Sequence, residues 1–265
     1  MLKQRVITAL VLIAILLPAL FAPDAWPFAL LSLVAIAAAG WEWGRLNGAG
    51  AASALLGGLL AAACAAALWA GWGEVAPRLV WWLAMGGWVL GGAFALRGGP
   101  KAWPAIPVAL RLAIGLALLW TAWLALATAR SIGINFILSA FCLVWAADIA
   151  AYFGGRAFGR RKLAPAVSPG KTIEGLIGGL VVAPIAAAAL APWGLPEVPL
   201  YLAGVVGLIL AAFGVGGDLF ESLLKRSAGM KDSSTLIPGH GGVLDRVDAY
   251  LFAAPVFYLL LRYWK

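Results

Sequence analysis

The feature that most constrains this chain is a series of apolar runs, each about as long as a bilayer is thick, separated by short polar joints. A helix rises about 1.5 Å per residue, so roughly 20 apolar residues cross a hydrocarbon core of about 30 Å. Only helices and closed barrels satisfy their backbone groups there, and these runs are too long for barrel strands. Runs near residues 6–22, 27–44, 52–72, 78–96, 106–128, 134–153, 173–193, 198–221 and 247–263 predict an all-α, polytopic transmembrane protein of about nine spans. The chain is 64% hydrophobic and 11% charged, whereas a soluble domain carries about 25% charged residues. An ordinary soluble enzyme is thereby excluded.

The run after Met1–Arg5 continues to Phe21 with no small-residue cleavage site, so it reads as a first span rather than a signal peptide. Cys64 and Cys142 lie far apart inside apolar runs and read as packing thiols, not metal ligands. Trp26, Trp72, Trp103 and Trp264 fall near span ends, the usual place for interface anchors.

With a cytoplasmic N-terminus, one side receives Lys3, Arg5, Arg45, Arg97, Lys101, Arg156, Arg160, Arg161, Lys162, Lys171, Lys225, Arg226, Lys231 and Arg246. These are fourteen of the nineteen basic residues. The positive-inside rule then predicts N-in, C-out with nine spans. A net charge of +8 follows from insertion topology and anionic lipid, and its division among short loops argues against nucleic acid as a partner.

Acidic residues are distributed very unevenly. Only Asp24, Glu42 and Glu74 precede residue 141, whereas Asp148, Glu174, Glu197, Asp218, Glu221, Asp232, Asp245 and Asp248 follow it. Carboxylates within or at the lip of apolar spans are costly, which makes them functional candidates and places the chemistry in the C-terminal half. The division is therefore 1–130, transmembrane scaffold and dimerisation helices, and 131–265, a transmembrane catalytic region with cytoplasmic loops.

Asp218 and Glu221, and likewise Asp245 and Asp248, are three residues apart and share a helix face, so each pair can converge on a cation. An oxygen-rich set with one nearby histidine, His240, suits Mg²⁺ better than zinc. Lys225, Arg226, Lys231 and Arg246 are interleaved with these acids and suit phosphate oxygens. Pro238–Gly242 predicts a tight turn.

Gly170-Lys171-Thr172 invites comparison with a nucleotide-binding P-loop, but Pro165 occupies the place of its first glycine. Ser168, Lys171 and Thr172 instead read as the start of the seventh span, where hydroxyls and free N–H groups suit phosphate. Ser168 is the expected cap and Glu174 the dipole-facing acid. Asp148 has Arg156 or Lys162 as possible interface partners.

Taken jointly, Ser222–Arg226, Lys231-Asp232 and His240–Asp248 resemble the signature of the phosphatidate cytidylyltransferases. The segments Asp148–Arg156, Lys162–Gly175 and Gly217–Glu221 are similar to the family too. The match covers about 100 residues, with Ile149 and Ile173 as small departures at uncharged positions.

The resemblance implies conversion of phosphatidic acid and CTP into CDP-diacylglycerol and pyrophosphate. It also implies a divalent metal, usually Mg²⁺ with a possible second cation, and a homodimer in a bilayer. The expected membrane is the bacterial inner membrane, with the active site facing the cytoplasm. Asp218, Asp245 and Asp248 become metal candidates. The catalytic set is Asp148, Lys225, Arg226, Lys231, His240 and Arg246, and the substrate-binding set is Arg156, Lys162, Ser168, Lys171, Thr172 and Ser222.

The nearest rival is a CTP-dependent lipid or polyprenol kinase, which would transfer the γ-phosphate. A transporter would also bury carboxylates, but no repeat relates the two halves. A CDP-alcohol phosphotransferase would need a closely spaced aspartate pattern that is lacking here.

Overall fold

The computed structural model describes residues 2–194 and 197–262. The chain forms α1 (Leu2–Phe21), α2 (Trp26–Leu46), α3 (Ala52–Trp69), α4 (Arg78–Gly87), a π-helical turn (Trp88–Gly92) and α5 (Ala93–Ala102). A 3₁₀ turn (Trp103–Ala105) leads to α6 (Val108–Ile132) and α7 (Ile134–Phe158). A hairpin of β1 (Lys162–Ala164) and β2 (Ser168–Thr172) precedes α8 (Ile173–Gly194), α9 (Leu200–Ser227) and α10 (Leu244–Arg262). The fold is nearly all-α, and eight helical segments are long and apolar enough to cross a membrane among the described residues. The protein is an integral membrane protein on that ground.

Each expected run has become a helical segment. The fourth is a composite of α4, the π-turn and α5, with Gly99 (φ 68°) breaking it before Trp103. The ninth, α10, falls outside the eight because charged residues crowd its start. It is nevertheless the centre of the bundle: every residue from Ala249 to Leu259 is buried, and α9, α6, α4, α7 and α2 surround it. A helix that is apolar all round belongs in such a place. By contrast α1 is almost wholly exposed, with Leu20 buried near its end. There Arg130 donates to the carbonyls of Leu20 (3.1 Å) and Ala22 (2.7 Å).

Helices α7 and α8 approach through small residues. The glycines Gly175 and Gly179 face the carbonyls of Ala151 and Ala147, and a Cβ at either would fall within 3.0 Å of that oxygen. Such stripes let backbones close up where no hydrophobic force separates helix from lipid. The same device joins α9 to α10, where Gly217 lies against the Asp248 carbonyl with no room for a side chain. The carboxylate-bearing turns of two helices are thereby held together.

A row of rings crosses the bundle behind those turns. Trp43 and Trp103 both pack on Phe220, Phe220 packs on Phe252, and Phe252 on Trp88. Trp103 is buried and donates from Nε1 to Asn47 Oδ1 at 2.9 Å, so it is a core residue rather than an interface anchor. Its indole N–H found a partner inside the protein, and the rings around it fill the remaining surface. Trp26 is exposed, as an anchor requires; Trp264 lies outside the described residues.

Candidate active site

One end of the bundle gathers chain segments distant in sequence. Gly239 packs on Arg5, Ser233 meets Glu42, Trp103 meets Asn47, and Arg226 donates from Nε to the Val167 carbonyl at 3.4 Å. The basic joints of the sequence therefore share one face. Two polar constellations lie there.

The first is a part-exposed polar cluster, called the cleft below, where α7, the hairpin, α9 and α10 meet. Lys171, on β2, forms an ion pair with Asp218 of α9, and both side chains are only part-buried, at 27% and 30% exposure. Asp218 also accepts a weak hydrogen bond from Ser222 Oγ at 3.4 Å. Its charge acts on Asp148 of α7 and on Asp248 of α10, and Lys171 acts on both as well. Asp248 Oδ1 accepts only the neighbouring Ala249 N–H, at 2.8 Å, among the described residues. Asp148 is exposed on the outer face of α7 beside Trp145, Ile149 and Tyr152. Asp218 is thus the carboxylate that pairs with Lys171, and the charges of both are felt at Asp148 and Asp248.

The second constellation is buried, and the oxygens of its Asp245 and Glu42 are paired, whereas Glu221 Oε1 has no hydrogen-bond partner among the described residues. Asp245, in the first turn of α10, accepts from Lys225 Nζ (2.6 Å), Ser233 N (2.8 Å), Ser233 Oγ (2.7 Å) and Gly242 N (2.8 Å). Lys225 also pairs with Glu221 at 2.5 Å, so one ammonium lies between two buried carboxylates. Behind it, Glu42 of α2 is wholly buried. Its Oε1 accepts Ser234 Oγ (2.6 Å) and Val243 N (2.9 Å), and its Oε2 accepts Leu244 N (2.8 Å) and faces Ser233 Oγ (3.1 Å). The Ser233 hydroxyl has one proton, which serves the shorter contact to Asp245. Glu42 thereby caps the positive N-terminus of α10, where unpaired backbone N–H groups require an acceptor.

The connecting loop is tight at its tip. Ile237 N donates to Gly241 O (2.8 Å) and His240 N to Ile237 O (2.9 Å), and Gly239 (φ 78°) and Gly241 (φ 84°) take the left-handed region. His240 Nδ1 is buried and has no hydrogen-bond partner among the described residues. Arg226 donates from Nη1 to the Met230 carbonyl at 3.2 Å, tying loop to helix.

Comparison with known proteins decides the family. The chain matches the Cytidylyltransferase family over residues 3–264. A Pseudomonas aeruginosa phosphatidate cytidylyltransferase is 40% identical over 270 residues, covering 98% of this chain and 97% of that one. The chain belongs to the cytidylyltransferase family. Membership makes it a nucleotidyltransferase. Phosphatidate cytidylyltransferases of Haemophilus influenzae (52% identical, 47% of this chain and 45% of that one) and Bacillus subtilis (43%, 49% and 48%) match over 129 residues each.

In this cytidylyltransferase-family chain, several expected placements change. Ser168 lies in β2 rather than at a helix cap, and Thr172 Oγ1 accepts Gly175 N–H (3.1 Å) in the capping role. Glu174 is in the first turn of α8, as expected, but there it accepts the N–H groups of Arg160 (3.0 Å) and Arg161 (3.2 Å) and so ties the hairpin to α8. Asp148 has no ion pair with Arg156 or Lys162 among the described residues, and the charges that act on it are those of Asp218 and Lys171. Asp218 and Glu221 share a helix but not a partner: the former turns to Lys171 and the latter to Lys225. Arg156, Lys162, Lys231 and Arg246 are exposed at the rim.

Glu42 escaped the sequence reading because it stands alone in an apolar run, with no second acid at helical spacing. The available signal was the cost of a carboxylate in a span, which by itself marks a partner to be found.

Among the described residues, no three His, Cys, Asp or Glu side chains gather tightly enough to enclose a metal ion. Hard divalent cations are commonly held by one or two carboxylates together with water and substrate phosphates. Asp218 and Asp248 supply such a pair in the cleft, whereas the oxygens of Asp245 already accept four hydrogen bonds.

Proposed function

We propose that the chain is a phosphatidate cytidylyltransferase, the activity that the names of its relatives print, acting in the cleft between α7, the hairpin, α9 and α10. A non-bridging phosphate oxygen of phosphatidic acid attacks the α-phosphorus of CTP. The bond to the bridging oxygen breaks, and pyrophosphate leaves with that oxygen. The nucleophile is ionised at neutral pH, so positioning and charge neutralisation carry the rate. The observation that carries this reading is the part-exposed Lys171–Asp218 ion pair at the meeting of the hairpin and α9, with Asp248 on the neighbouring α10 holding only a local hydrogen bond among the described residues.

A divalent cation on Asp218 and Asp248 would neutralise phosphate charge as it builds up. Lys171 holds a substrate phosphate, with Ser168, Thr172 and Ser222 as further phosphate-binding groups. Arg156, Lys162, Arg226, Lys231 and Arg246 draw the triphosphate to the rim. His240 Nδ1, buried and without a partner among the described residues, faces a polar substrate group. Lys225 and Asp245 act mainly by fixing the turn that carries Asp248. Exposure of Asp148 on the outer face of α7 supports sideways entry of the lipid from the bilayer. The clustering of basic joints at the cleft end supports a cytoplasmic orientation, and the bacterial relatives support the inner membrane. The homodimer rests on the family resemblance.

Purified protein given phosphatidic acid, Mg²⁺ and CTP labelled at the α or the γ phosphate tests the reaction. Label from the α position in the lipid product and γ label in pyrophosphate is the expected result. Label from the γ position in lipid would establish a kinase instead.

A further inference from the structure

We propose that Glu42, from the N-terminal half of the chain, is a positioning residue of the active site. It fixes the Ser233–Leu244 loop and the first turn of α10 so that Asp248 is presented to the cleft. The inference rests on the cytidylyl-transfer reading of that site.

The side chain is wholly buried and its carboxylate is directed at a loop some 200 residues away in sequence. Two of its acceptor contacts go to Val243 and Leu244, the backbone N–H groups that begin α10, and one to Ser234 at the other end of the loop. A single carboxylate thus closes both ends of an eleven-residue excursion whose tip holds His240. Gly242 fits against it only because it has no side chain: a Cβ there would overlap Glu42 Oε1 and Ser233 Oγ.

The N–H groups that Glu42 accepts belong to the turn containing Asp245 and Asp248. A shift of that turn moves Asp248 relative to Asp218, since Gly217 lies directly on the Asp248 carbonyl. Glu42 touches neither substrate nor the cleft acids, and its effect passes through α10. A carboxylate is required, because the two backbone donors cannot reverse. A glutamine would present its NH₂ group to one of them, whereas a serine hydroxyl could turn to suit either.

The test compares wild type, Glu42→Gln and Ser234→Ala as full-length protein in detergent. Wild-type production of labelled CDP-diacylglycerol is measured first, so that failure of the reaction assignment is seen separately. Hydrogen–deuterium exchange of residues 233–248 is then followed without metal, and kcat, KM for CTP and half-saturating Mg²⁺ are measured with it.

Glu42→Gln is expected to speed exchange within 233–248 while α7 and α8 stay protected. It should lower kcat about 10–100-fold and raise half-saturating Mg²⁺, the scale seen when a residue supporting a metal ligand is lost. Faster exchange in that segment with wild-type kcat and Mg²⁺ dependence would reduce Glu42 to a tether of the fold, and unchanged exchange would also overturn the proposal. If Glu42→Gln loosens the whole bundle, Ser234→Ala decides. The same local pattern with a smaller loss of kcat supports the role, and wild-type kinetics with a loosened loop overturns it.

Discussion

The part-exposed cluster around Lys171 and the buried constellation around Lys225 both draw acids from α9 and α10, yet they differ in how many donors their aspartates have. Around Lys225 the four oxygens of Asp245 and Glu42 have donors, while Glu221 holds the Lys225 ammonium through Oε2 and its Oε1 has no hydrogen-bond partner among the described residues. Around Lys171, Asp218 alone is paired with the ammonium, and Asp248 has a single local hydrogen bond among the described residues. Buried polar groups that are fully paired hold structure, while an excess of one charge costs stability and persists where a ligand supplies the balance. On the proposed reading, the difference separates residues that shape the site from those that meet substrate.

Variants that remove single members test that division. Asp245→Ala is expected to have the largest effect, about 3–5 kcal/mol of stability, because it takes from the buried Lys225 one of its two carboxylates and leaves the N–H groups of Ser233 and Gly242 without their acceptor. Unfolding in mixed detergent measures it. Should Asp245→Asn abolish turnover and leave the melt intact, Asp245 would belong with the cleft acids and the division would fail.

Asp248→Asn is expected to do the reverse. Turnover should drop roughly 10²–10³-fold, the scale for deleting one charge-stabilising group, and the melt should hold or rise as repulsion from Asp218 is relieved. Full activity across Mg²⁺ concentrations would refute its assignment to the cation. Gly242→Ala forces a methyl against Glu42 and Ser233 and should cost about 1–3 kcal/mol with slower turnover. Trp103→Phe, which deletes the N–H donated to Asn47 and keeps the ring contacts, should cost about 1 kcal/mol and leave turnover unchanged.

Much of this protein was legible in its apolar runs. Lipid offers no hydrogen bonds, so an apolar stretch of that length must close its own as a helix, and span positions follow from length. The hairpin was not legible: Lys162–Ala164 and Ser168–Thr172 are short, polar and interrupted by prolines, and their pairing is held by Glu174 from the helix that follows. Trp103 looked like an interface residue because sequence gives its distance from a span end but not the core that receives it.

The sequence by itself determined a helical membrane protein with its acids and bases concentrated after residue 141 and the spacing of the cytidylyltransferase family. Only the tertiary structure decided which acids are spent on holding the fold and which face the cleft. It also enlisted Glu42, from a helix that carries no other acid. Spacing along a chain says which side chains share a helix face. The partner each one meets depends on how the helices pack, and for a carboxylate out of water that partner decides between anchor and binding group.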